Sequence, residues 1–185
     1  MPGLPIFMEK REAIIFIDGS NFYHNSKPIV DQSKRIDFNR LAQFICDKFN
    51  LKLKQVRYYN AVTEISDNKE IYYKHIGFLD KLKKDNIIVK TRKLKYIKKL
   101  KIKIEKGVDV LIASDMIRKT LVEKECEVCI LISGDADFIP SMQIIKDAGY
   151  EVIVCASKHG FSNELRQGKF RYFILRKEDL ENCLK

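Results

Sequence analysis

Four aspartates carry the chemistry this chain could do. Asp135 and Asp137 lie in Ser133-Gly134-Asp135-Ala136-Asp137-Phe138, directly after the apolar run Val128–Ile132. A β-branched apolar run closed by Ser-Gly reads as a buried strand. Both carboxylates therefore fall at a strand's C-terminal end, where open α/β sheets bind ligands. Asp18 ends a second such run, Ala13–Ile17, in Asp18-Gly19-Ser20-Asn21. Asp109 follows Lys106-Gly107-Val108 and opens a helical stretch, Val110–Val122. A helix cap, with Asp137 before Phe138 and Pro140 tolerated in the first turn, accounts for one carboxylate of the 135/137 pair. The other is left to explain. Asp109 complements a helix dipole, its simplest structural role. Asp115 lies about 120° around the axis from Asp109 at 100° per residue, so the two cannot share a face. Asp109 is the better site candidate, and Asp115 is expected to be structural or to support the site from behind.

Carboxylates crowded at converging strand ends repel one another, which raises pKa values or destabilises the fold. Hard divalent cations remove that repulsion, and Mg²⁺ typically takes few carboxylates together with waters and phosphate oxygens. Such ions activate water and stabilise the leaving oxygen of a phosphodiester. Asn21 and Ser20, beside Asp18, suit either capping the segment that follows or holding a carboxylate, a water or a phosphate by hydrogen bonds.

The elements that must position these residues follow from periodicity. Asp37 caps an expected helix over Phe38–Phe49, with Leu41, Phe44, Ile45 and Phe49 at helical spacing. Residues 22–35 read as a helical turn and a polar loop broken at Pro28. Leu53–Val62 reads as a strand, and Asp67 or Asn68 opens a helix to Lys84. Asn86–Lys95 is a third strand. Leu100–Ile104 alternates apolar residues with lysine, as a half-exposed strand or hairpin arm does. Ile139–Ala148 is a helix stopped by Gly149, and Tyr150–Ala156 is a buried strand. A short helix, Asn163–Lys169, a strand, Arg171–Leu175, and a terminal helix, Glu178–Leu184, complete the order. The alternation of strand and helix predicts an α/β fold, a doubly wound and mainly parallel sheet flanked by helices.

The chain has 185 residues, the length of one domain over 1–185 with a proper core. Its net charge is +10, and about a dozen Lys and Arg residues between Lys81 and Lys106 face only Asp85 and Glu105. A phosphate backbone is the partner such a stretch suits, with Lys95, Lys99, Lys101, Lys103 and Lys106 as candidate contacts. A solvated or edge-protecting lysine row would have the same composition. No apolar run is long enough for a membrane span, and no basic start or cleavage site marks a signal peptide, so a cytoplasmic protein is expected. Five cysteines, an odd count, argue against a disulfide framework. Cys126 and Cys129 form a C-x-x-C pair without a second ligand pair, and strand alternation would point them to opposite faces. His75, on the helix to Lys84, has nothing nearby to complete a metal set.

Together, Phe16-Ile17-Asp18-Gly19-Ser20-Asn21, Lys106-Gly107-Val108-Asp109 and Ser133-Gly134-Asp135-Ala136-Asp137-Phe138 resemble the LabA-like branch of the NYN domain, within the PIN-like nuclease superfamily. The resemblance runs in order over about residues 11–176. It implies a PIN-like α/β/α sandwich and a Mg²⁺- or Mn²⁺-dependent ribonuclease acting through metal-activated water. By motif it implies Asp18, Asp109 and Asp135 as metal-binding catalytic carboxylates, with Asp137 a fourth ligand or a base behind them. Asn21 would orient a water or the scissile phosphate, supported by Ser133. RNA is the expected partner ahead of DNA, and the chain is expected to be a monomer or a homodimer. An RNA-binding or regulatory adaptor of the same fold, weak in catalysis, is the alternative. A nucleotide-sugar transferase leaves the Asp18 and Asp109 blocks unexplained. A haloacid-dehalogenase-type phosphatase would need an aspartate where Ser20 stands, and no G-x-G-x-x-G marks a dinucleotide fold.

Overall fold

The computed structural model describes residues 9–31, 33–62, 68–97, 102–104 and 107–185. In chain order these form β1 (Glu12–Asp18), α1 (Gly19–Ser26), α2 (Phe38–Lys48), β2 (Lys52–Val62), α3 (Lys69–Lys84), β3 (Ile88–Lys93), β4 (Lys95–Ile97) and β5 (Ile102–Ile104). There follow α4 (Val108–Ile117), β6 (Val128–Ile132), α5 (Ile139–Asp147), β7 (Glu151–Ser157), α6 (Asn163–Gln167), β8 (Arg171–Leu175) and α7 (Lys177–Glu181). Six strands pair in the order β3-β2-β1-β6-β7-β8, every pair parallel. This is the expected doubly wound α/β fold.

The two faces of β1 show why. Ala13, Ile15 and Ile17 enter one core with Leu41 and Ile45 of α2 and Leu79 and Leu82 of α3. Ile14 and Phe16 enter the other with Ile112 and Met116 of α4 and Met142 and Ile145 of α5. A strand covered on both faces must be apolar where it is covered, as Ala13–Ile17 of β1 and all of β6 are. The strand order reverses between β1 and β6, which places the topological switch point at their C-terminal ends.

Several local expectations change. The first helix starts at Gly19 rather than near residue 22, because the Asp18 carboxylate already accepts from the Asn21 N–H and caps it. Asp37 and Asn68 cap α2 and α3 as expected. Cys126 and Cys129 share one core rather than opposite faces. β6 begins only at Val128, so strand alternation does not govern Cys126, whose Sγ lies 3.6 Å from Thr120 Oγ1. All five cysteines are free and buried. The lysine-rich arm pairs antiparallel as β4–β5, with Tyr96 opposite Lys103 and Lys95 opposite Ile104. Lys99, Lys101 and Lys106 lie outside the described residues. Among the described residues, no helix is long and apolar enough to cross a membrane.

Candidate active site

Asp18 closes β1 almost fully buried, at 4% exposure. Its Oδ1 accepts from the Asn21 backbone N–H at 3.0 Å and its Oδ2 from Ser133 Oγ at 3.0 Å. Ser133, directly after β6, also accepts from the Asp135 N–H at 3.3 Å. A hydroxyl has one proton, and here it is committed to Asp18. One serine thus ties the ends of β1 and β6 together at the switch point and fixes the Asp18 carboxylate.

The chain does not pass straight from β6 into α5. A 3₁₀ turn, Ala136–Phe138, intervenes, and its N-cap is Asp135, whose Oδ1 accepts from the Asp137 N–H at 3.0 Å. The expected cap at Asp137 is therefore two residues too late. Asp137 stands in the first turn of that segment, exposed and outside the cap. Asp109 reaches the same region from the first turn of α4, which Gly107 opens at φ +83°. Burial pushes the Asp109 carboxyl above the ordinary carboxylate value, and the charges of Asp135 and Asp137 push it further. The atoms packed behind this surface side chain are enough to desolvate it. Asp109 thus feels the charges of Asp135 and Asp137, and Ser133 links the Asp18 carboxylate to the Asp135 backbone N–H.

The donors are oxygen atoms throughout, as a hard divalent cation requires. Among the described residues, no three or more His, Cys, Asp or Glu side chains stand together in a group that could hold a metal ion. An open arrangement suits Mg²⁺, which typically keeps waters and uses one or two carboxylates plus substrate phosphates. Asp18, Asp109 and Asp135 carry oxygen donors of the kind such an ion takes.

Asn21 Oδ1 accepts from the Gly134 N–H and from Asn25 Nδ2, both at 3.0 Å. With its oxygen so occupied, the group Asn21 can offer a ligand is its amide NH₂, a donor. Ser20 sits half-buried at the second position of α1. Asn25 is a site residue that motif reasoning missed, although its i,i+4 spacing from Asn21 was legible. It also packs against Gly160, where a Cβ would lie 2.2 Å from the Asn25 side chain. A Cβ on Gly134 would lie 1.6 Å from the Gly160 carbonyl oxygen, so only glycine allows these loops to touch.

Asp115 is elsewhere and fully engaged. Its Oδ2 accepts from Tyr59 OH at 2.7 Å and Arg57 Nη2 at 3.1 Å, and its Oδ1 from Lys90 Nζ at 2.9 Å. Burial pushes this carboxyl up, but the hydrogen bonds from Lys90, Tyr59 and Arg57 outweigh it and hold it below the ordinary value. Asp115 fastens α4 to β2 and β3. His75 pairs with Asn60 (Nδ2···Nε2 3.3 Å), and burial holds its ring below the usual imidazole value.

A search of curated proteins matches none at the level that would name a relative. Among solved structures, the chain is similar to a Vibrio parahaemolyticus protein of unknown function. Its TM-score is 0.62 at 20% identity, over 94% of this chain and 99% of that one, a likeness of fold alone. The NYN domain model matches residues 12–176, a span that contains β1 through β8 and all four site aspartates. With most of its length matched, this chain belongs to the NYN domain family.

Proposed function

We propose that this protein is a Mg²⁺- or Mn²⁺-dependent nuclease, of the LabA-like branch, that hydrolyses RNA phosphodiesters at the Asp18/Asp109/Asp135/Asp137 cluster. One domain over residues 1–185 would carry the activity. The observation that supports this reading is the gathering of carboxylates at the switch point: Asp18 ends β1, Asp135 and Asp137 follow β6, Ser133 links the two ends, and Asp109 opens α4 within reach of their charge. Repulsion among crowded carboxylates is relieved when a divalent cation binds them. A bound divalent ion would supply an activated water and charge stabilisation for the leaving oxygen. Around it, Ser133 holds Asp18 in one orientation, and Asn21 presents its NH₂ to a phosphate oxygen. Asp137, exposed and free of the cap, is positioned to take a proton.

The test is cleavage of a single-stranded RNA oligonucleotide with Mn²⁺, with and without EDTA, beside Asp18→Asn/Asp135→Asn. Loss of cleavage in both controls is expected, and cleavage unchanged by either would sink the reading. The open spacing of the carboxylates favours a second one, an RNA-binding adaptor weak in catalysis. It predicts salt-sensitive RNA binding with no cleavage in Mg²⁺ or Mn²⁺.

A further inference from the structure

The C-terminal end of β7 neighbours that of β6, and the segment after it carries cations that nothing above uses. Residues 157–170 contain Lys158, His159, Arg166 and Lys169 against a single acidic residue, Glu164. Lys158 and His159 are exposed in a 3₁₀ turn ending at Gly160, and Arg166 is exposed on α6. This turn is bolted to the acidic site. The Gly160 carbonyl packs on Gly134, Asn25 packs on Gly160, and the Ser162 N–H donates to the Gly134 carbonyl at 3.0 Å. Gly134 directly precedes Asp135. Arg166 donates from Nη2 to the Lys158 carbonyl at 3.4 Å, and its guanidinium carbon lies 5.6 Å from the centre of the Phe161 ring. The Arg166 guanidinium is thereby held against the main chain of residue 158 by local contacts that use few of its donors.

We infer that Lys158 and Arg166 form a phosphate grip on the β7 flank of the carboxylate cluster. An RNA chain crossing the switch point would be held there, beyond the bond to be cut. This rests on the proposed nuclease reading and adds to it where the chain runs. On the opposite flank of β1 and β6, β3 is the edge strand of the sheet, and Arg92 and Lys93 are exposed at its C-terminal end. A chain spanning both flanks is gripped on either side of the carboxylates, so cleavage needs no chain end. Charge complementarity favours this occupant: repelling carboxylates at the centre flanked by cations match a polyanion that arrives with a divalent ion.

Binding is measured on the intact chain in EDTA, with a fluorescent single-stranded RNA, as affinity against salt concentration. Cleavage of linear and circular single-stranded RNA with Mn²⁺ is measured separately. Lys158→Ala/Arg166→Ala is expected to lower the slope of log affinity against log salt by about 1.4, at roughly 0.7 per phosphate contact on a single strand. Lys52→Ala/Lys124→Asn removes the same charge at the opposite end of the sheet and is expected to leave the slope unchanged. Circular RNA is expected to be cut. Equal slope changes in both variants, or circular RNA left intact while linear RNA is cut, would overturn the grip without touching the nuclease reading. Absence of all cleavage with the slope difference intact would overturn the nuclease reading and leave the grip standing.

Discussion

Helix α4 carries two aspartates six residues apart whose carboxyls are driven in opposite directions. Asp109, in its first turn, is pushed up by burial and then by the like charges of Asp135 and Asp137. Asp115 is pulled down by Lys90, Tyr59 and Arg57 against the cost of its burial. The chemistry of the side chains is identical, and the difference lies wholly in what faces them. A carboxylate surrounded by donors and cations holds a fold together. One that is desolvated beside like charges is pushed the other way, as Asp109 is. The same contrast separates β2 and β3, which contribute Arg57, Tyr59 and Lys90, from β1 and β6, whose ends contribute Asp18 and Ser133.

Removing the compensated carboxylate should have the largest effect on stability. Asp115→Asn leaves the Arg57 guanidinium buried at 3% exposure without its ionic partner. Breaking a buried pair from one side costs about 3–5 kcal/mol. At roughly 2–4 °C per kcal/mol for a chain of this size, the thermal midpoint falls by about 10 °C. Acid discriminates further. Because the folded Asp115 carboxyl lies below its ordinary 3.8, the native state binds fewer protons than the unfolded chain. Its stabilisation is full above that ordinary value and is lost as pH falls through the folded one. Thermal melts between pH 6 and pH 2.5 should therefore converge for wild type and Asp115→Asn at the acid end. Curves that stay parallel would remove Asp115 from the structural side of the comparison.

Asp135→Asn tests the other side. Asparagine caps about as well as aspartate, so the 3₁₀ turn after β6 survives. Replacing residues that only support a metal's ligands typically costs about 10–100-fold, so loss of a ligand itself should cost at least about 100-fold in cleavage rate. A variant that melts like wild type yet cannot cut is the expected pair of results. Asn25→Ala should fall between these extremes. It removes the donor to Asn21 Oδ1, a bond worth about 1 kcal/mol, and loosens the Gly134–Gly160 contact. Cleavage should drop by about 10-fold, mainly through weaker RNA binding, because Asn21 then turns its amide less reliably toward phosphate. Rescue by Asn25→Gln is not expected, since Gly160 leaves no room for a longer side chain.

The sequence made most of this fold readable, and the reason is that its strands are covered on both faces. Runs such as Ala13–Ile17 and Val128–Ile132 stop where the sheet stops, so the carboxylates after them fall at the sheet's end whatever the loops do. What stayed hidden was set by contacts between loops. Which of Asp135 and Asp137 is the cap depends on a 3₁₀ turn that periodicity does not reveal. Asn25 and Gly160 matter through each other, 135 residues apart. The Arg57–Asp115 pair crosses from β2 to α4, and nothing in the spacing of either residue announces it. Cys126 misled for a related reason, since alternation was extended two residues beyond the start of β6.

The smallest effect is the one that most directly opposes the two aspartates of α4. Asp109→Asn keeps the shape of the side chain and removes a charge that Asp135 and Asp137 repel. Against that gain stands the loss of an acidic group in a first helical turn, worth about 0.3–1 kcal/mol near a helix N-terminus. The repulsion comes from two charges and the burial adds to it, so even with solvent screening at this exposed position the balance favours a small rise in thermal midpoint. Excess Mn²⁺ should reverse the order. An ion that binds only the folded state adds about 2.7 kcal/mol at a hundred times its dissociation constant, and wild type gains more of this than the variant. Melts with and without Mn²⁺ should therefore cross: Asp109→Asn the more stable without metal, wild type the more stable with it. If Asp109→Asn is the less stable of the two in EDTA, its carboxylate is as structural as that of Asp115, and the distinction between the two ends of α4 fails.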